Sequence, residues 1–127
     1  MKPSKYFNAP EFYCPCCKKE WTKDSLIDML DKIRNSLGKP VDIESGCRCR
    51  KHNASLKNSA SNSGHITGEA ADIYVRGMTN HELYAHIKAI HAKGWLPQLR
   101  YCYRIRGTSG TRVHVGVDDK HRANIFG

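Results

Sequence analysis

The chain has 127 residues, and 21 Lys+Arg against 12 Asp+Glu give it a formal charge of +9. That length suits one domain, residues 1–127, with enough buried surface for a real core. No apolar run approaches the roughly 18 residues of a membrane helix, so no membrane span is expected. The N-terminal stretch MKPSKYFNAP is basic but lacks the apolar segment of a secretory signal. Synthesis in the cytoplasm is therefore expected, with any action outside the cell requiring a separate exit route. The charge points to an anionic partner: nucleic acid, a lipid surface or an acidic cell-wall polymer. No internal repeat or linker is found, and a monomer is expected.

In chain order, residues 24–37 place Leu26, Ile27, Leu30, Ile33 and Leu37 on one helical stripe. Asp24 or Thr22 would cap its start, and Gly38 followed by Pro40 would end it. Val41–Glu44 alternates apolar and polar residues as a short strand does, and Ile73–Val75 does so more weakly. The stretch 45–70, rich in Ser, Asn, Gly and basic residues, reads as irregular loop. Thr79 and Glu82 form a capping box opening a second helix, with Leu83, Ile87 and Ile90 inward and Gly94 at its end. His81, His86 and His91 on that helix read as solvated. Residues 99–105 and 111–117 flank the turn-rich Arg106–Gly110 as a β-hairpin. Val113, Val115 and Val117 share one face of its second strand, which leaves His114 on the other.

The chemistry concentrates in Ser63-Gly-His65-Ile-Thr-Gly68-Glu-Ala-Ala-Asp72. Its glycines favour a loop that folds back and brings His65 and Asp72 together. With His114 from the hairpin, two imidazoles and a carboxylate could hold Zn²⁺. Three protein ligands leave the fourth position to water, the layout of a catalytic zinc site.

These residues resemble the first zinc motif of the M15-type metallopeptidases, the D-Ala-D-Ala carboxypeptidase and phage endolysin group. Ser45-Gly-Cys-Arg48 is similar to that group's Ser-Gly-Tyr-Arg segment, and Arg112-Val-His114-Val to the strand supplying the third ligand. The resemblance runs from the helix at 24–37 to about residue 118. It implies an α+β fold of the Hedgehog/DD-peptidase type, with helices packed on a small, mostly antiparallel sheet. It further implies zinc on His65, Asp72 and His114, Arg48 holding a substrate carbonyl or carboxylate, and Ser63 at the substrate side orienting the zinc loop. The implied activity is hydrolysis of a peptide bond in the peptidoglycan stem, as a carboxypeptidase or an endolysin-type endopeptidase. The implied setting is an acidic cell wall reached through a separate pore, with a phage or prophage origin. A nucleic-acid partner is disfavoured, although Arg100, Arg104, Arg106 and Arg112 crowd the hairpin.

The chain departs from the family at the general base. The positions three and two residues before the last ligand carry Thr111 and Arg112, neither able to take a proton near neutral pH. The alternative position carries Gly116. Asp118 would lie about 13 Å beyond His114 in a straight strand, at roughly 3.3 Å per residue, unless a strand end near Gly116 shortens the path. Glu69 is the other carboxylate candidate. Tyr101 and Tyr103 could offer a phenol, though core packing is the expectation for them. With no base assigned, a catalytically inactive zinc-containing relative that binds the cell wall or a protein is the alternative function. The cysteines form two clusters, Cys14-Pro-Cys16-Cys17 and Cys47-Arg-Cys49. A second, structural ion drawing four thiolates from them, disulfides and free thiols all remain open; the usual two-residue gap of a zinc ribbon is expected to be missing.

Overall fold

The computed structural model describes residues 1–57, 59–119 and 124–127. Four strands form one sheet: β1 (Asp42–Ser45), β2 (Ala70–Tyr74), β3 (Tyr101–Arg104) and β4 (Val113–Gly116). Their order is β1-β2-β4-β3, and every neighbouring pair is antiparallel. Among the described residues three helices accompany them, α1 (Asp24–Leu37), α2 (Arg50–Ser55) and α3 (Asn80–Ala92), with short 3-10 turns at Ala9–Phe12 and Thr108–Gly110. This is a small α+β fold, as expected. No helix among the described residues is long and apolar enough to cross a membrane.

The two faces of the sheet divide the labour, because side chains alternate along each strand. Ala71, Val115 and Cys102 pair across the strands in one row, and Ile73 with Val113 in the next. All five are buried, together with Leu26, Ile27, Met29, Leu30 and Ile33 of α1 and Leu83, Ile87 and Ile90 of α3. Burial pushes the Cys102 thiol up to about 12, so it behaves as a small apolar core residue. The helical stripe of α1 is thus the one its periodicity predicts, with Met29 added. The Thr79–Glu82 capping box is also present: Thr79 Oγ1 accepts from the Glu82 amide at 3.1 Å and Glu82 accepts from the Thr79 amide at 2.8 Å.

Three expectations need correction. The N-cap of α1 is Lys23, with no side-chain cap; its amide donates instead to the Gly68 carbonyl at 2.9 Å, so a tertiary contact does the work expected of Asp24 or Thr22. The segment 45–70 is not all loop, since Cys49 caps the short helix α2 through its sulfur. His86 is not merely solvated: its Nε2 lies 2.8 Å from Ser36 Oγ and ties α3 to α1.

Gly68 is the point where the metal-motif loop meets α1. Its φ of +74° is left-handed, and a Cβ there would sit 2.2 Å from the Trp21 carbonyl oxygen. Gly77 shares the positive φ, +84°, but would meet nothing within 4 Å. Gly68→Ala is therefore expected to cost about 2–4 kcal/mol, from conformational strain plus overpacking, against about 1–2 for Gly77→Ala. Urea denaturation midpoints of the two variants test this; equal losses would mean that the Trp21 contact is dispensable.

Candidate metal centre and cleft

The opposite face of the sheet carries polar residues in one row: Ser45, Asp72, His114 and Tyr103 lie side by side across all four strands. A bulge in β1 makes this possible. Ile43 pairs with Ile73 and Ser45 with Asp72, so the extra residue Glu44 turns Ser45 to the polar face. The following row holds Ala70, Gly116 and Tyr101, whose two small members leave open space beside His114.

His65 enters from the loop before β2. Ser63 Oγ accepts from the His65 amide at 3.2 Å, and the Gly46 carbonyl lies 2.7 Å from His65 Nδ1. With Nδ1 on the Gly46 carbonyl, Nε2 is turned inward to Asp72 Oδ1, 3.2 Å away. His114 Nδ1 approaches the same oxygen at 2.9 Å. One ligand atom from each of the three residues falls within 4.8 Å of the others, and all three side chains are buried. The loop does fold back to join residues seven apart in sequence.

The electrostatics suit a cation. Burial opposes ionisation of Asp72, yet hydrogen bonds from His114 and then His65, with their charges, hold its carboxyl well below the usual carboxylate range. Burial lowers the pKa of His114 below its ordinary value, against the opposing pull of Asp72, and so favours the neutral imidazole that a metal requires. Two inward nitrogens and a carboxylate oxygen, with an outer carbonyl orienting one ring, fit Zn²⁺ in donor type and number.

Arg48 stands beside this group. Its Nη2 donates to Asp72 Oδ2 at 3.2 Å, its Nε to Ser45 Oγ at 3.2 Å and its Nη1 to Asn53 Oδ1 at 3.3 Å. Asn53 is itself buried and donates to the Ala60 carbonyl at 2.8 Å, a supporting role that the sequence motif did not suggest. Arg48, Ser63, His65, Asp72, His114 and Asp118 all line one open cleft of about 660 Å³.

Asp118, two residues past Gly116, reaches the cleft with its carboxylate over Gly64 and Gly116. A Cβ on Gly116 would lie 2.8 Å from Asp118 Oδ1 and 3.7 Å from His114 Nε2, so both groups border the space above that glycine. A Cβ on Gly64 would sit 2.5 Å from the same carboxylate oxygen. Glu69 does not line the cleft; its carboxylate accepts from the Thr67 hydroxyl, and its backbone bonds to Gly64 and Val117. Thr111 accepts from Arg112, while Arg112 pairs with Glu44 at 3.2 Å and lies over the Tyr74 ring. Tyr101 and Tyr103 correct the expectation of core packing. They sit on the cleft face, and Tyr103 stacks on His114 with ring centroids 4.7 Å apart. Their alternation with the buried Cys102 was the available signal.

Among the described residues, two imidazoles and one carboxylate meet in an open cleft, the donor set of a metal-dependent hydrolase, whereas a closed structural site would carry a fourth protein ligand. The chain belongs to the peptidase M15 family, whose model matches residues 5–106. Peptidases of this family are zinc-dependent metallopeptidases. The match begins upstream of the resemblance read from motifs, taking in Cys14–Cys17, and includes Arg48, His65 and Asp72. It ends before β4, so His114 and Asp118 rest on the geometry of this chain. No curated protein and no solved structure matches it.

Proposed function

We propose that this protein is a zinc peptidase that cleaves a peptide bond in the stem peptide of peptidoglycan, at the bacterial cell wall. The observation that carries the reading is the Asp118 carboxylate, folded over Gly116 into the cleft that holds His65, Asp72 and His114. It supplies the proton acceptor that Thr111 and Arg112 cannot. His65, Asp72 and His114 would hold a zinc ion, which would polarise the scissile carbonyl and lower the pKa of water to about 7. Asp118 accepts the proton of the attacking water and passes it to the leaving nitrogen as the C–N bond breaks. Arg48 has N–H groups left beyond those on Asp72, Ser45 and Asn53, and these bind a substrate carbonyl or carboxylate. Ser63 orients the loop through the His65 amide. Lys57 and Arg106 add positive charge to the cleft wall, in keeping with a carboxylate-bearing peptide and an anionic cell-wall surface.

Mass analysis of products from defined stem peptides and the zinc-loaded protein tests the proposal. Loss of the terminal D-Ala means a carboxypeptidase, and an internal cut means an endopeptidase. Intact peptides with zinc bound would leave the inactive, binding relative as the better account. Arg48→Ala is expected to slow turnover by about 10²-fold at saturating zinc, as expected when transition-state charge loses a positioned donor. Because Arg48 also holds Asp72 Oδ2, zinc affinity should weaken by about 10–100-fold in the same variant. Digestion of purified peptidoglycan at the parent rate would remove Arg48 from the machinery.

A further inference from the structure

A second group of metal-ligating side chains lies on the far side of the Arg48 loop. The sulfurs of Cys14, Cys17 and Cys49 fall within 4.8 Å of one another, although the residues lie up to 35 positions apart. Tetrahedral zinc with bonds of about 2.3 Å sets its sulfurs about 3.8 Å apart, a spacing inside that 4.8 Å limit. The expectation that the two-residue gap is missing needs correction: counted from Cys14 to Cys17, the sequence carries it. The backbone is shaped as a knuckle: the Lys18 amide donates to the Cys14 carbonyl at 2.8 Å, the Cys14 amide donates to the Lys19 carbonyl at 2.8 Å, and Lys18 is left-handed with φ 60°. The Cys49 amide donates to Cys14 Sγ at 3.3 Å and the His52 amide to Cys49 Sγ at 3.4 Å, so backbone dipoles already face the sulfurs as they would face thiolates. None of the six cysteines is in a disulfide.

We propose that Cys14, Cys17 and Cys49, completed by the exposed Cys16 of the same Cys14–Lys18 turn, form a structural zinc site distinct from the His65–Asp72–His114 centre. Binding displaces the thiol protons to solvent and leaves the zinc oxidation state unchanged. Its consequence is mechanical. Cys49 follows Arg48 directly, and Gly46 packs so closely on Phe12 that a Cβ would lie 2.7 Å from the Phe12 Cα. The Cys47 amide also donates to the Phe12 carbonyl at 3.0 Å, while the Gly46 carbonyl holds His65. A zinc ion joining residues 14–17 to Cys49 therefore clamps the segment that sets both Arg48 and His65.

The test uses the purified, zinc-replete protein. An organomercurial that caps thiolates is added, and zinc release is followed with a chromogenic chelator. About one zinc ion per chain should be released, with about one more released only by strong chelation from the nitrogen and oxygen ligands. Cobalt substitution of the unmodified chain should give an intense ultraviolet sulfur-to-cobalt band, reduced by about a quarter in Cys16→Ser, one thiolate of four. Cys17→Ser should abolish the mercurial-released zinc, and His114→Ala should retain it. No mercurial-released zinc, or no sulfur-to-cobalt band, overturns the proposal. An undiminished band in Cys16→Ser overturns the four-thiolate form. Failure of the His114-dependent fraction alone would count against the peptidase centre and leave the cysteine site standing.

Discussion

His114→Ala is expected to remove both the zinc of the cleft and all measurable peptidase activity. Deleting an outer partner of a ligand costs about 10–100-fold in metal affinity, and loss of a ligand itself costs more. Here the loss is compounded, because His114 and His65 share Asp72 Oδ1 at 2.9 and 3.2 Å. Without His114 the carboxylate keeps only His65 and Arg48 in a buried setting, so the two remaining ligands also lose their geometry. The pH dependence has a definite sign. Burial places the folded-state pKa of His114 below the unfolded value of about 6.5, so acidification favours the unfolded chain once pH falls below about 6.5. Asp72, held below the usual carboxylate range, adds stability that is present above its unfolded pKa near 3.8 and is lost as pH falls through the lower folded value. The metal-free parent should thus lose stability in steps on acidification, and His114→Ala should lack the upper step. Zinc content by mass spectrometry and thermal melts across pH check this. Full zinc occupancy of the cleft in His114→Ala would refute the ligand assignment.

The elements that the sequence shows well are those whose signal is local. The α1 stripe, the capping box at Thr79 and the valine alternation of β4 each depend on residues within a few positions of one another. His65 and Asp72 were legible together because glycine and alanine leave few alternatives to a folded-back loop. What was not legible depends on partners far away in sequence. The start of α1 is set by Gly68, 45 residues from Lys23. The bulge at Glu44 that turns Ser45 toward Asp72 leaves no mark in a four-residue strand. Tyr101 and Tyr103 look like core aromatics until strand pairing puts Tyr103 beside His114. The cysteine cluster was obscured for the same reason, since its third member comes from the loop after β1.

Asp118→Asn is the sharper test of mechanism, because it removes charge and basicity while preserving size. Zinc content should match the parent, since Asp118 is not among the three ligands. Turnover should fall by about 10²–10⁴-fold, the usual contribution of a positioned general base. The expectation rests on local geometry rather than distance along a strand. A straight continuation would carry Asp118 about 13 Å from His114, but β4 ends at Gly116 and the carboxylate returns over that glycine. Gly116 is then required by space: in Gly116→Ala the new methyl would meet Asp118 Oδ1 at 2.8 Å and displace it. Gly116→Ala should reproduce much of the Asp118→Asn defect with zinc retained, and Glu69→Gln should stay within a few-fold of the parent. A purely structural role for Asp118 predicts a lower melting temperature alongside the slower turnover. The catalytic role predicts a normal melt with turnover lost. Parent-rate turnover in Asp118→Asn would move the proton transfer elsewhere in the cleft, with the Tyr101 and Tyr103 phenols the next groups to substitute.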